Sequence, residues 1–255
     1  MATDFEALLA QCRGPLTFTA PMVLAVLDGR KTQTRRVIRS ASASWPTRGS
    51  VFLGSRWELR RKRRHPNAWQ YRFVGHERDG DDFWHGEVAP RFAPGDLAYV
   101  AEGLRPGGRG DVCYNADLSL VRGTADFTTL WHWNVSVLSS RFMPKRFART
   151  ILRIDEVRAE RVQDITEEQA IAEGIPVDAD GVAMAVGRFH DSPRDAFAAL
   201  WATIHPRPPH DWASNPWCFV YAFAPLVAVS CGRTTGGEPG DFPCNRERNT
   251  VEGKA

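Results

Sequence analysis

Residues 28–36 read DGRKTQTRR. Two readings compete for this stretch. A dense basic run just after a helix is usually a solvated face, and cations near a helix C-terminus also suit its dipole. The other reading makes Lys31 a working group with Thr34, Arg30, Arg35 and Arg36 as helpers. The flanking segments fix where Lys31 must stand. Upstream, TAPMVLAVLDG reads as a helix capped by Thr19 or Ala20, with Pro21 in its first turn and Gly29 stopping it in the left-handed conformation. Downstream, TQTRRVI alternates β-branched and polar residues and reads as a strand.

Further out, residues 3–12 suggest a short leading helix and LTFT a brief strand at 16–19. The Pro-Gly-Asp corner of APGDLAYVAEGL precedes a strand at about 96–102. ARTILRIDEVRAERV is the longest alternating run in the chain and predicts a long strand. In DITEEQAIAEGI, Thr166 is a helix N-cap with Gln169 three residues on, and Gly174 is the stop. Ser192-Pro193 opens a further helix, DAFAALWATI, and WCFVYAF (217–223) is a last core strand. Residues 39–67 read as a surface excursion with a small hairpin, 104–145 as irregular and 175–191 as a loop. This order does not alternate as parallel βαβ units would. It predicts an α+β fold with a mostly antiparallel barrel flanked by a few helices.

Composition narrows the function classes. The 255 residues carry a net charge of +3, too small to predict a polyanion partner unaided. The basic residues gather instead in 28–39, 56–64 and 141–149. The first residues lack a secretion signal and no apolar run approaches a membrane span, so a cytoplasmic, soluble protein is expected. Five scattered cysteines with no C-x-x-C pair, and histidines without ligand spacing, predict neither metal nor disulfide framework. No cofactor is expected.

Glu173 adds a second clue. It falls in the last turn of its helix, where a carboxylate meets the negative end of the dipole at a cost of ~0.3–1 kcal/mol. A cation such as Lys31 would turn that cost into a gain.

The stretches LDGRKTQTRR, PGDLAYVAE, ITEEQAIAEGI and NPWCFVYAF together resemble the ASCH family, whose fold is a PUA-like β-barrel. The chain is most similar to the longer phage- and prophage-encoded members, whose counterparts extend to MPKRFARTILRIDEVRAERVQDIT and DWASNPW. The likeness covers about residues 15–226. It implies an ASCH (PUA-like) domain with insertions at about 39–90 and 104–140, preceded by a short extension at 1–14; the segment 227–255 reads as a disordered tail because it offers too little apolar surface to fold. Such barrels bind RNA or modified nucleotides. One branch of small bacterial members hydrolyses N4-acetylcytidine, with a lysine and a threonine in an R-K-T-x-T segment and a glutamate near the end of the T-E-x-x-A-x-x-E helix. These map to Lys31, Thr34 and Glu173. Arg30, Arg35 and Arg36 are candidates for a phosphate or oxyanion, Glu102 for a second acid, and Trp217 for stacking a base. Trp131, Trp133 and Trp212 are further aromatics that either stack bases or pin loops to the core. At 100–103 the family pattern Val-Arg-Glu is met by Val-Ala-Glu-Gly, so Ala101 removes a basic side chain. Three functions follow as expectations: an RNA- or nucleotide-binding module, an amidohydrolase of N-acylated nucleosides, and a phage accessory protein that binds a protein partner.

Overall fold

The computed structural model describes residues 2–38, 56–61, 69–74, 86–108, 110–121 and 130–228. They fall into two compact units, each discontinuous in sequence. The first comprises Met1–Asp28, Leu97–Leu152 and Pro225–Ala255; the second comprises Gly29–Asp96 and Arg153–Ala224.

In the first unit, helix α1 (Ala2–Gln11) leads into strand β1 (Gly14–Thr17) and helix α2 (Ala20–Leu27). Pro21 sits in the first turn of α2, where its missing N–H costs nothing. Strand β1 pairs with β6 (Leu97–Ala101) in parallel, Gly14 opposite Ala98 and Thr17 opposite Ala101. The stretch expected to be irregular contains a hairpin of β7 (Leu104–Pro106) and β8 (Val112–Tyr114). The long strand β9 (Thr150–Arg161) starts here and neighbours β6. Phe5 and Leu9 of α1 pack with Tyr99, Leu104, Tyr114 and Ile151 in one apolar core. Trp131 and Trp133 stack edge to face at 4.9 Å and lean on that core, so both pin their loop.

In the second unit the order is β9, β12 (Trp217–Ala228) and β2 (Gln33–Val37). Strands β12 and β2 are antiparallel, with Tyr221 opposite Thr34 and Val220 opposite Arg35. A separate three-stranded sheet joins β3 (Arg56–Arg61), β4 (Trp69–Val74) and β5 (Gly86–Val88), all antiparallel; β3 alone of these falls within the surface excursion expected at 39–67. Helices α3 (Glu167–Ala172) and α4 (Pro193–Ile204) form where the capping residues predict them. The Ser192 hydroxyl accepts from the Asp195 N–H, and Phe197 and Trp201 bury their rings beside Ile165 and Cys218. Trp212 packs on Phe197, with ring centroids 6.2 Å apart.

Residues 175–191 are not the plain loop the sequence suggests. They hold a hairpin of β10 (Ala183–Ala185) and β11 (Arg188–His190). Its two-residue turn places Val186 and Gly187 at positive φ, as the twist of a tight hairpin demands.

The fold is α+β with mostly antiparallel pairing: β1 runs parallel to β6, while β2–β12, β3–β4, β4–β5, β7–β8 and β10–β11 are antiparallel. The expected barrel is not closed: β1 and β2, four and five residues long, each have one neighbour in strand order. Closure requires those edges to be hydrogen-bonded. Strand β12 runs to Ala228, two residues into the tail expected from 227; the rest of that tail lies outside the described residues, as does most of the insertion at 39–90. No helix among the described residues is long and apolar enough to cross a membrane.

Candidate functional site

The C-terminus of α3 is where the second unit gathers its charged groups. Thr166 and Gln169 form a reciprocal capping box at the other end of that helix. At its C-terminus Gly174 takes φ +97°, and the N–H groups of Gly174 and Ile175 return to the carbonyls of Ile171 and Ala170. This glycine-dependent reversal fixes Glu173 as the C-cap. The backbone N–H of Thr32 donates to the Ala172 carbonyl at 2.9 Å, which brings residues 31–33 to the helix end.

Lys31 completes that end. Its ammonium donates to the backbone carbonyl of Glu173 and to the Glu173 carboxylate at 3.0 Å. One lysine therefore satisfies an orphan helix carbonyl and offsets the carboxylate that the dipole disfavours. Both side chains are buried, 3% and 5% exposed. Arg35 reaches the other Glu173 oxygen at 3.2 Å, and its second terminal nitrogen donates to Glu160 at 2.9 Å and Gln169 at 2.7 Å. The Arg35 side chain is fully buried, and its Nε has no partner. The carboxamide of Gln33 donates to the Gln169 carbonyl.

Burial pushes the Lys31 ammonium below its ordinary value. The charge and hydrogen bond of Glu173 pull the other way, while the like charges of Arg36 and Arg35 add to the fall.

The remaining predicted residues are distributed as follows. Thr34 is buried and directly opposite Tyr221 across the β2–β12 ladder, so these two side chains share a face. Arg35 projects from the other face, as alternation requires. No hydrogen bond joins Thr34 to Lys31 or Glu173 among the described residues. Arg36, two positions on, shares the Thr34 face and is half-buried. Arg30 is exposed. Trp217 lies under the Arg161 guanidinium at 4.7 Å, so that ring face is already covered.

Glu102 belongs to a second network, in the first unit. Arg149 grips it in two parallel hydrogen bonds of 2.8 Å. The same guanidinium reaches Asp117 at 2.7 Å and Ser119 at 2.9 Å, and lies 4.0 Å from the centre of the Tyr114 ring. Burial alone would lower the Arg149 pKa, but its bonds to Glu102 and Asp117 raise it, so the guanidinium stays charged. Arg149 was grouped in sequence with the basic run 141–149; the fold takes it out of that run and buries it. The side chains of the basic segment 56–64 lie outside the described residues.

Among the described residues, no group of three or more His, Cys, Asp or Glu is placed to hold a metal ion. Compared with known protein families, curated proteins and solved structures, the chain gives no match.

Sequence reasoning missed Glu160 and Gln169 as partners of Arg35. Gln169 carried a signal, but it was read only as a cap. Glu160 sits in an alternating strand, where nothing local distinguishes it from a solvent-facing charge.

Proposed function

We propose that this chain is a cytoplasmic protein of the PUA-like, ASCH type that binds a modified nucleoside or nucleotide, free or within RNA, beside Lys31 and Glu173. The observation that supports this reading is the buried pairing of those two side chains at 3.0 Å across 142 residues of sequence. Lys31 and Glu173 are the positions the family resemblance assigns to the site. A buried, hydrogen-bonded carboxylate and amine suit recognition of a nucleobase edge, because each mismatched donor or acceptor there carries a desolvation penalty.

A second reading is favoured by the depressed Lys31 ammonium: hydrolysis of an N-acylated nucleoside such as N4-acetylcytidine. The neutral Lys31 amine takes a proton from water as its oxygen attacks the acyl carbon. The resulting ammonium returns that proton to the departing N4 nitrogen as the C–N bond breaks, leaving cytidine and acetate. Glu173 orients Lys31; the resemblance also assigns Thr34, which lies on the face of β2 opposite the Arg35–Glu173 contact.

Calorimetric titration with N4-acetylcytidine, together with an acetate-release assay, tests both readings. Single truncation of Lys31 or Glu173 leaves its buried partner without a counter-charge and destabilises the fold as well as the site. The informative variant is therefore Lys31→Met with Glu173→Gln, checked for folding by circular dichroism. The wild type is expected to bind and the double variant to lose binding. Turnover in the wild type that vanishes in Thr34→Val, with binding retained, establishes hydrolysis. Absence of both binding and turnover in the wild type overturns the nucleoside reading and leaves the protein-partner function.

A further inference from the structure

The Arg35 guanidinium is one corner of a ring of hydrogen bonds that ties three elements of the second unit together. Its Nη2 donates to the Glu160 carboxylate at 2.9 Å and to the Gln169 side-chain oxygen at 2.7 Å. The other Glu160 oxygen accepts from Arg158 Nε at 2.7 Å. Arg158 Nη2 makes a longer contact, 3.5 Å, with the Gln33 side-chain oxygen. The Gln33 amide nitrogen donates to the Gln169 backbone carbonyl at 2.9 Å and so closes the circuit. The ring thus takes Gln33 and Arg35 from β2, Arg158 and Glu160 from β9, and Gln169 from α3. It spans β12, which lies between the other two strands. Each strand contributes residues two apart, which alternation puts on one face. Outside the ring, Arg158 Nη1 donates to Glu156 at 2.6 Å.

Charges therefore alternate in sign from the interior to the surface, in the order Lys31, Glu173, Arg35, Glu160, Arg158, Glu156. The Lys31 side chain is 3% exposed and that of Glu156 is 55% exposed. Lys31 and Arg35 share the Glu173 carboxylate, one oxygen each. Two cations on one buried carboxylate leave a charge uncompensated where the dielectric is low. Glu160 supplies the second negative charge, and supplies it at the Arg35 end. A guanidinium does not give up its proton at any ordinary pH, whereas a buried ammonium does. Arg36 also faces Lys31, and its like charge acts in the same direction as that of Arg35. Lys31 is thus the group that answers any change in the balance between Arg35 and its two carboxylates.

We propose that Glu160 is a positioning residue of the Lys31–Glu173 site: it anchors the outer side of Arg35, leaves one Glu173 oxygen to Lys31, and so sets the charge with which Lys31 meets a ligand. Arg158 modulates this from the surface, because it holds the second oxygen of the same carboxylate. The inference rests on the reading of Lys31 and Glu173 as the binding pair and adds what controls that pair.

The test is the Lys31 titration in the full chain, followed by NMR at its ε-methylene without ligand, with folding checked by circular dichroism. Glu160→Gln keeps the shape and removes the charge. Its Lys31 midpoint is expected below that of the wild type, and Glu160→Asp should recover part of the difference. Arg158→Gln should move the midpoint upward. Glu156→Gln, one step further out, should move it least of the three. Loss of packing does not produce shifts of opposite sign. Where N4-acetylcytidine binds, the pH at which its affinity changes should follow the Lys31 midpoint in each variant. An unmoved midpoint in Glu160→Gln overturns the inference. Equal shifts in Glu160→Gln and Glu156→Gln overturn it too, because surface charge at large would then explain both. If Glu160→Gln does not fold, Arg158→Gln decides, and a midpoint it fails to raise overturns the inference. The expected shifts in a wild type and variants that do not bind N4-acetylcytidine uphold the role of Glu160 and overturn the nucleoside reading alone.

Discussion

Each of the two units buries an arginine against a glutamate, and the two networks end differently. Arg149 spends its Nε and both terminal nitrogens on Glu102, Asp117 and Ser119, and its flat face on Tyr114. The Glu102 carboxylate is held at both oxygens. The Arg35 network is unfinished by the same measure. Its Nε is buried without a partner, and the neighbouring lysine is pushed toward its neutral form. Burial of an ion pair is thus no marker of function by itself. The capacity left over after the internal bonds are counted separates a clamp from a candidate site.

The largest effect that could break this contrast is on the Arg149 side. Glu102→Ala leaves a charged guanidinium buried beside a cavity, and a loss of about 3–5 kcal/mol is expected in urea unfolding. A loss below about 1 kcal/mol would show that Asp117 alone neutralises Arg149, and the clamp would not be a clamp.

The corresponding change at the other network is expected to cost less, about 1.5–3 kcal/mol at neutral pH for Glu173→Gln. Lys31 has an exit that Arg149 lacks, since it sheds its proton. That exit has a pH signature with a definite sign. The native pKa of Lys31 lies below its unfolded value of about 10.4, so the unfolded chain holds more protons between the two. Wild-type stability should therefore gain a rising contribution with pH through that window, and Lys31→Met should lack it. Removing the Glu173 charge takes away a cause that raises the Lys31 pKa, so Glu173→Gln should extend the window downward. A difference between wild type and Lys31→Met that stays flat from pH 8 to 10.5 would mean Lys31 is as readily charged as any surface lysine.

The site and the clamp were unequally legible in sequence. Gly29 and Gly174 as left-handed stops, Thr166 with Gln169 as a capping box, and the misplaced Glu173 charge are all local signals, and the structure uses each of them. They set Lys31 just past one helix end and Glu173 at another, and the family resemblance supplied the expectation that the two meet. The Glu102–Arg149 pair has no local signal, because its partners meet only through tertiary packing. The β10–β11 hairpin was missed because its turn is Val-Gly, where Asn-Gly or Asp-Gly gives the usual cue. The parallel β1–β6 pair joins segments distant in sequence, so no connecting turn announces it.

The smallest effect concerns how far the unfinished network depends on its helix. Gln169 serves two masters: its side-chain oxygen accepts from the Thr166 N–H at 3.1 Å and from Arg35 at 2.7 Å. Its backbone N–H in turn rests on the Thr166 hydroxyl at 3.2 Å. The cap that starts α3 and the guanidinium that steadies Glu173 therefore share one atom. Thr166→Ala is expected to cost about 1 kcal/mol, the usual worth of a lost N-cap, and Thr166→Ser should recover most of it. If the cap also holds Arg35 in place, the Lys31 titration, followed by NMR at its ε-methylene, should shift in Thr166→Ala and return in Thr166→Ser. Exchange protection around Arg149 should not change in either variant. A 1 kcal/mol loss with an unmoved Lys31 titration would show that the capping box is only a helix start, and that Arg35 is held by its two carboxylates alone.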